Sequence, residues 1–200
     1  MSSPERPVVF GNSVEALLRV LQPVLTPELE ARFRQLGIDL RNPNPAYPYE
    51  LWVEALRLAM ATLYPDASHD EATYRLGRAI FETYGSTLLG KALLQLLKVL
   101  GPKRGLERMA RNLRTTNNYS ETKLVERSVG HFELWVNRAA FQHYFRGLLE
   151  AGLEFTGARQ VSVRILRTGA EATPPDHSVT FELRWATSAV PSEKASPPRT

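Results

Sequence analysis

The chain has 200 residues, 43% of them hydrophobic and 23% charged, which are the proportions of a globular domain rather than of a disordered segment. It contains no cysteine, so disulfides, cysteine-bound zinc, iron–sulfur clusters and thiol nucleophiles are excluded together. Twenty-five basic against 21 acidic residues leave a net charge of +4, which permits acidic partners without demanding them.

Met1-Ser2-Ser3-Pro4-Glu5-Arg6-Pro7 lacks the apolar stretch of a secretory signal, and no apolar run approaches the ~20 residues that span a bilayer. A cytoplasmic protein without membrane association is expected. Ser13 can cap a helix over Val14–Leu21. Thr26-Pro27-Glu28 supplies a cap, a proline at the first helical position and an acid in the first turn of a second helix, with Gly37 at its end. Leu51, Trp52, Ala55, Leu56, Ala59, Met60 and Leu63 recur at helical spacing, and so do Ala72, Leu76, Ala79, Ile80 and Thr83. Ser86–Leu100 is apolar except for a thin line of Lys91, Gln95 and Lys98, which predicts a central helix with neighbours on several sides. Gly101-Pro102 ends it, and Lys103–Thr115 restarts as a basic helix.

The period then becomes two. Thr122–Arg127 and Phe132–Val136 read as one hairpin, and Val161–Ile165 with Val179–Trp185 as another. Between them Ala139–Thr156 reads as a helix whose Gly147 and Gly152 let another backbone approach closely. The predicted class is α+β: a helical N-terminal half, then β-hairpin, long helix and β-hairpin, forming one antiparallel sheet packed on helices. Residues 1–185 are expected to form one domain and 186–200 a disordered tail.

Candidate chemistry is sparse. Gly85-Ser86-Thr87-Leu88-Leu89-Gly90-Lys91 matches a phosphate-binding loop up to its lysine, but Ala92 replaces the hydroxyl that would hold magnesium, and no buried strand precedes it. His69 with Asp66, Asp70 and Glu71 sits at a helix start, where acids complement the dipole, and has no second histidine near in sequence for a metal. No nucleophile or acid–base constellation can be assembled, so a non-catalytic protein is expected, with no metal and no cofactor. The candidate site is a surface for an anion or a partner. Arg104, Arg108 and Arg111 share one helical arc and Arg114 continues the row. Asn117, Asn118, Tyr119 and Arg138 are grouped with them. A solvated face partly paired with Glu107, Glu121 and Glu126 is the competing reading. Nucleic acid is disfavoured by the modest charge and the lack of an aromatic platform.

Val9-Phe10-Gly11-Asn12-Ser13-Val14-Glu15-Ala16-Leu17, the stretch from Arg111-Asn112-Leu113-Arg114 to Asn117-Asn118-Tyr119, and Glu133-Leu134-Trp135-Val136-Asn137 resemble a family of myxobacterial paralogues of unknown function. More distantly, the second half is similar to haem-nitric-oxide/oxygen-binding domains and to four-vinyl-reductase type domains. The haem resemblance implies a histidine on the helix before the sheet and a Tyr-x-Ser-x-Arg clamp. Here no histidine lies between His69 and His131, and the clamp positions hold Leu134, Val136 and Arg138, of which only Arg138 matches. The resemblance therefore implies the scaffold without its haem.

Two functions stay open. One is a regulatory module binding a small ligand in an apolar pocket between the leucine-rich helix and the sheet. The other is a protein-interaction or homodimerisation module using exposed apolar surface such as Trp135 and Leu166. A cavity above ~300 Å³ favours the first, and a filled core with an apolar outer patch the second.

Overall fold

The structure, a computed structural model, describes residues 6–85, 88–169 and 177–187. It begins with a three-residue strand, β1 (Val8–Phe10), paired antiparallel with β2 (Ala46–Pro48) through Val9 and Tyr47. Strands this short show no period, and this small sheet is an addition to the single sheet expected. Between them lie α1 (Gly11–Leu21), which buries Val14, Ala16, Leu17 and Leu21, and α2 (Pro27–Gln35). The start of α2 is as predicted: the Thr26 hydroxyl accepts the Leu29 amide and Pro27 takes the first position. Gly37, at φ 88°, turns the chain away at its end.

The helical half continues with α3 (Tyr49–Leu63), α4 (His69–Tyr84) and α5 (Leu88–Asn112). Ser68 caps α4 by accepting the Glu71 amide. Within α5 the path breaks at Gly101, where φ is 72° and ψ 179°, and Pro102 has no amide to donate across the break. The two predicted helices are thus the two stretches of α5. The expectation that the first is buried on most sides needs correction. Leu94 and Leu97 are buried, but Leu96 is 43% exposed and Val99 84% exposed, so only one stripe faces the core. Ser86 and Thr87, and the side chains of Leu89 and Leu93, lie outside the described residues.

The second half holds β3 (Thr122–Ser128), β4 (His131–Val136), α6 (Gln142–Phe155), β5 (Arg159–Thr168) and β6 (Val179–Ala186). The four strands form one antiparallel sheet in the order β3-β4-β6-β5. Leu124, Leu134, Phe181 and Ile165 stand in register as a row across its inner face. On the outer face Glu133 lies opposite Glu182. Their repulsion is offset by Arg127, 2.7 Å from Glu133, and by Arg184, 2.7 Å from Glu182. Helix α6 begins at Gln142 rather than at Ala139, because Phe141 is still extended. Strand β6 reaches Ala186, one residue into the predicted tail; residues 188–200 lie outside the described part.

Two hydrophobic clusters result. One gathers α1, α2, α3 and much of α4, and the other gathers the sheet, α5 and most of α6. Helices α4 and α6 join them, with Gly147 against the Tyr74 carbonyl and Gly77 against the Tyr144 carbonyl. The close backbone approach predicted at Gly147 is present. Gly152 instead accommodates a side chain, that of Met109. Among the described residues no helix is long and apolar enough to cross a membrane.

Candidate functional site

After α5 the chain makes one 3-10 turn, Leu113–Thr115, and then folds back along β1. The Phe10 amide donates to the Thr116 carbonyl at 2.8 Å, and the Asn118 amide to the Val8 carbonyl at 3.2 Å. Asn117 is buried. Its Oδ1 accepts the amides of Tyr119 (3.1 Å) and Ser120 (2.7 Å), and its Nδ2 donates to the Leu113 carbonyl (3.1 Å). Asn118 accepts the Val8 amide at 2.8 Å and donates to the Arg6 carbonyl. The Asn118 carboxamide therefore holds the loop to β1, that of Asn117 holds the loop's own turn, and both have little left to offer a partner.

That placement divides the predicted surface. Arg104, Arg108 and Arg111 are exposed on one face of α5 and form no hydrogen bond or ion pair among the described residues. Lys103 beside them pairs with Glu126. The side chain of Arg114 lies outside the described residues. Arg138 is exposed, far along the chain from this row, and its charge acts on Tyr49 and Tyr119. Asn117 and Tyr119 do not join the arginines: they turn inward. Trp135 is half-buried with the Lys123 ammonium 5.0 Å from its ring centre, and Leu166 sits at a strand irregularity of β5.

Asn117 and Tyr119 turn inward onto a cavity of about 150 Å³. Its walls come from both hydrophobic clusters. Ala16 of α1, Trp52 of α3 and Ile80 of α4 stand on one side; Leu94, Leu97 and Met109 of α5 and Phe145 and Leu148 of α6 stand on the other. The predicted pocket between the leucine-rich helix and the sheet is thus corrected in part: the leucine-rich helix lines it, but the four-stranded sheet does not, and other helices, Val9 of β1 and the loop after α5 complete the walls. Its size falls short of the ~300 Å³ at which pockets for drug-sized molecules begin.

Polar residues share the walls with the apolar ones, and they are incompletely paired. Asn12 at the start of α1 points its Nδ2 at the Thr115 carbonyl, 3.5 Å away, which leaves its Oδ1 buried with no hydrogen-bond partner. Tyr119 and Tyr144 line the cavity as well, and neither hydroxyl bonds to the protein among the described residues. Burial drives both phenols well above the usual tyrosine range, so both stay neutral. Tyr49 packs edge-on against Tyr119 with ring centres 5.0 Å apart. No charged side chain and no histidine among the described residues lines the cavity.

The histidines lie elsewhere. His69, His143 and His177 border a separate polar pocket of about 300 Å³, where His143 Nε2 is 3.4 Å from Asp70. Among the described residues no group of side chains is arranged to hold a metal ion. His131 is on the outer sheet face, 3.1 Å from Glu182. Sequence reasoning missed Asn12 and Tyr144 as cavity residues, because only tertiary packing brings them to one space.

The fold is similar to that of solved H-NOX proteins. The Fe(II) unliganded H-NOX protein from K. algicida superposes with a TM-score of 0.56 at 13% identity, covering 89% of this chain and 97% of that one. An H-NOX structure from work on haem distortion in that family gives 0.61 at 12%, covering 92% and 99%. An oxygen-binding H-NOX domain related to soluble guanylate cyclases gives 0.60 at 13%, covering 88% and 95%. At such identities the likeness is one of fold alone. No curated protein matches the sequence. Residues 7–186 match the model of a family described as proteins of unknown function, DUF2378, and the chain belongs to that family.

Proposed function

We propose that this chain is a regulatory module that binds a small ligand in its helical cavity, without catalysis and without haem. The carrying observation is the position of the cavity, with walls from both hydrophobic clusters. A ligand touching both clusters favours the arrangement that brings them together, which is the physical requirement for passing on a binding event. The likeness of the scaffold to H-NOX proteins supports a sensory role by analogy of fold.

Haem does not suit the residues present. A cavity of about 150 Å³ is small for a porphyrin, and no histidine among the described residues lines it. Leu134 and Val136, at the positions where the family resemblance puts the clamp, are fully buried on the inner face of the sheet and offer no polar group. Expression with abundant haem tests this. The reading expects colourless protein, and a Soret band at stoichiometric haem that is lost on changing any one of the four histidines would overturn it.

A protein-interaction module is the second reading, and exposed Val99 beside Leu96 favours it. Sedimentation distinguishes the two: a dimer broken by Val99→Asp supports the interaction module, and a monomer with an occupied cavity supports the ligand module.

A further inference from the structure

We infer that the ligand of the helical cavity is a neutral, single-ring-sized molecule carrying a hydroxyl group; this rests on the ligand-binding reading above. Size comes first. About 150 Å³ is the volume of an engineered apolar cavity that takes up benzene, so a single ring fills the space. The walls are aromatic and aliphatic, with Trp52, Phe81 and Phe145 among them, so a flat apolar body meets favourable surface on several sides.

Charge comes second. With no charged side chain among the described residues on the walls, an ionised ligand would lose its hydration and gain no counter-charge. The ligand is therefore neutral when bound.

The hydroxyl follows from the groups left unpaired. A buried acceptor without a donor is rare in folded proteins and needs a cause. Asn12 Oδ1 is such an acceptor, and its orientation is set by the Nδ2 contact to the Thr115 carbonyl. Tyr119 and Tyr144 line the same cavity, and neither hydroxyl has a protein acceptor among the described residues. The Asn112 carboxamide lines the cavity as well and has no protein partner among the described residues. A hydroxyl suits this set, because it donates once, to Asn12 Oδ1, and accepts from a neighbour. A plain hydrocarbon of equal size would leave Asn12 Oδ1 buried and unpaired, and that is the basis of selectivity.

Calorimetric titration of the whole chain with phenol, toluene and benzoate tests the inference, with Tyr119→Phe/Tyr144→Phe as the variant. Among the described residues neither hydroxyl bonds to the protein, so the variant keeps the fold, which its unfolding midpoint verifies. Phenol is expected to bind at least about tenfold more tightly than toluene, as one or two net hydrogen bonds provide. The variant should lose that preference while its toluene affinity is unchanged, and benzoate should not bind. Toluene binding as tightly as phenol would leave the cavity a ligand site and overturn the hydroxyl assignment. Benzoate binding as well as phenol would overturn neutrality. Heat from none of the three, in protein whose native mass shows nothing bound, would overturn the ligand reading itself.

Discussion

Gly77 of α4 and Gly147 of α6 form a reciprocal notch. A Cβ on Gly77 would stand 2.0 Å from the carbonyl oxygen of Tyr144, and one on Gly147 would stand 2.2 Å from that of Tyr74. Each glycine thus meets the residue three positions before the other. The notch draws the helices together and brings Tyr144, Phe145 and Leu148 to the cavity wall shared with Ile80 and Phe81.

Alanine at either glycine must push two backbones apart. Gly77→Ala and Gly147→Ala should each destabilise by roughly 1–3 kcal/mol, although alanine is the better helix former by about 1 kcal/mol. The double variant should lose less than the sum, because both changes open the same contact. Gly152→Ala should cost less than either, because its nearest neighbour is the flexible Met109 thioether at 2.2 Å. Urea unfolding checks all four; losses below ~0.5 kcal/mol at both Gly77 and Gly147 would contradict the notch.

The two halves of the fold differ in how far the sequence discloses them. Alternation of Phe132, Leu134 and Val136 against Glu133 and Trp135 marks a half-buried strand, because one side of the sheet is wet. Strands β1 and β2 carry no such signal: three residues each are held by hydrogen bonds to distant chain, including the 116–118 loop. Leu96 and Val99 mislead because apolar spacing does not tell a buried face from one left open. Gly147 is conspicuous inside an apolar helix, whereas its partner Gly77 lies between Leu76 and Arg78 and announces nothing. The cavity is the least legible feature, since Asn12, Trp52, Tyr119 and Tyr144 come together only through tertiary packing. Asn117 and Asn118 adjoin the arginines in sequence, but the Asn117 carboxamide is engaged by its own turn and that of Asn118 by Val8 and Arg6.

Leu97 and Leu96 are neighbours with opposite surroundings, 1% and 43% exposed. Leu97→Ala should cost about 2–5 kcal/mol, as core truncations do, and Leu96→Ala less than about 1 kcal/mol. Equal losses in chemical denaturation would mean that the first stretch of α5 faces the core differently.

The arginine face should be thermodynamically quiet. Arg108→Glu/Arg111→Glu replaces two exposed side chains that have no partner among the described residues, and the change in unfolding free energy should stay within ~1 kcal/mol. A loss of several kcal/mol would show that these side chains are engaged in the folded protein.

Tyr119 and Tyr144 predict an alkaline response. Burial holds both phenols above the value of about 10 that they have in the unfolded chain. Their contribution is fully present below about pH 10 and is lost as pH rises from there through the folded-state values, because the unfolded chain releases these protons first. Tyrosinate absorbance and unfolding should rise together in that range, and Tyr119→Phe/Tyr144→Phe should flatten the dependence. An unchanged pH dependence in that variant would contradict the burial of these hydroxyls.

Native mass spectrometry of freshly purified protein bears most directly on the central claim. The account predicts a population heavier than the bare chain by one small neutral molecule, lost on unfolding and reduced in a variant that fills the cavity, Ala16→Leu. A bare chain that takes up no small molecule, or a chain carrying the mass of haem, would contradict it.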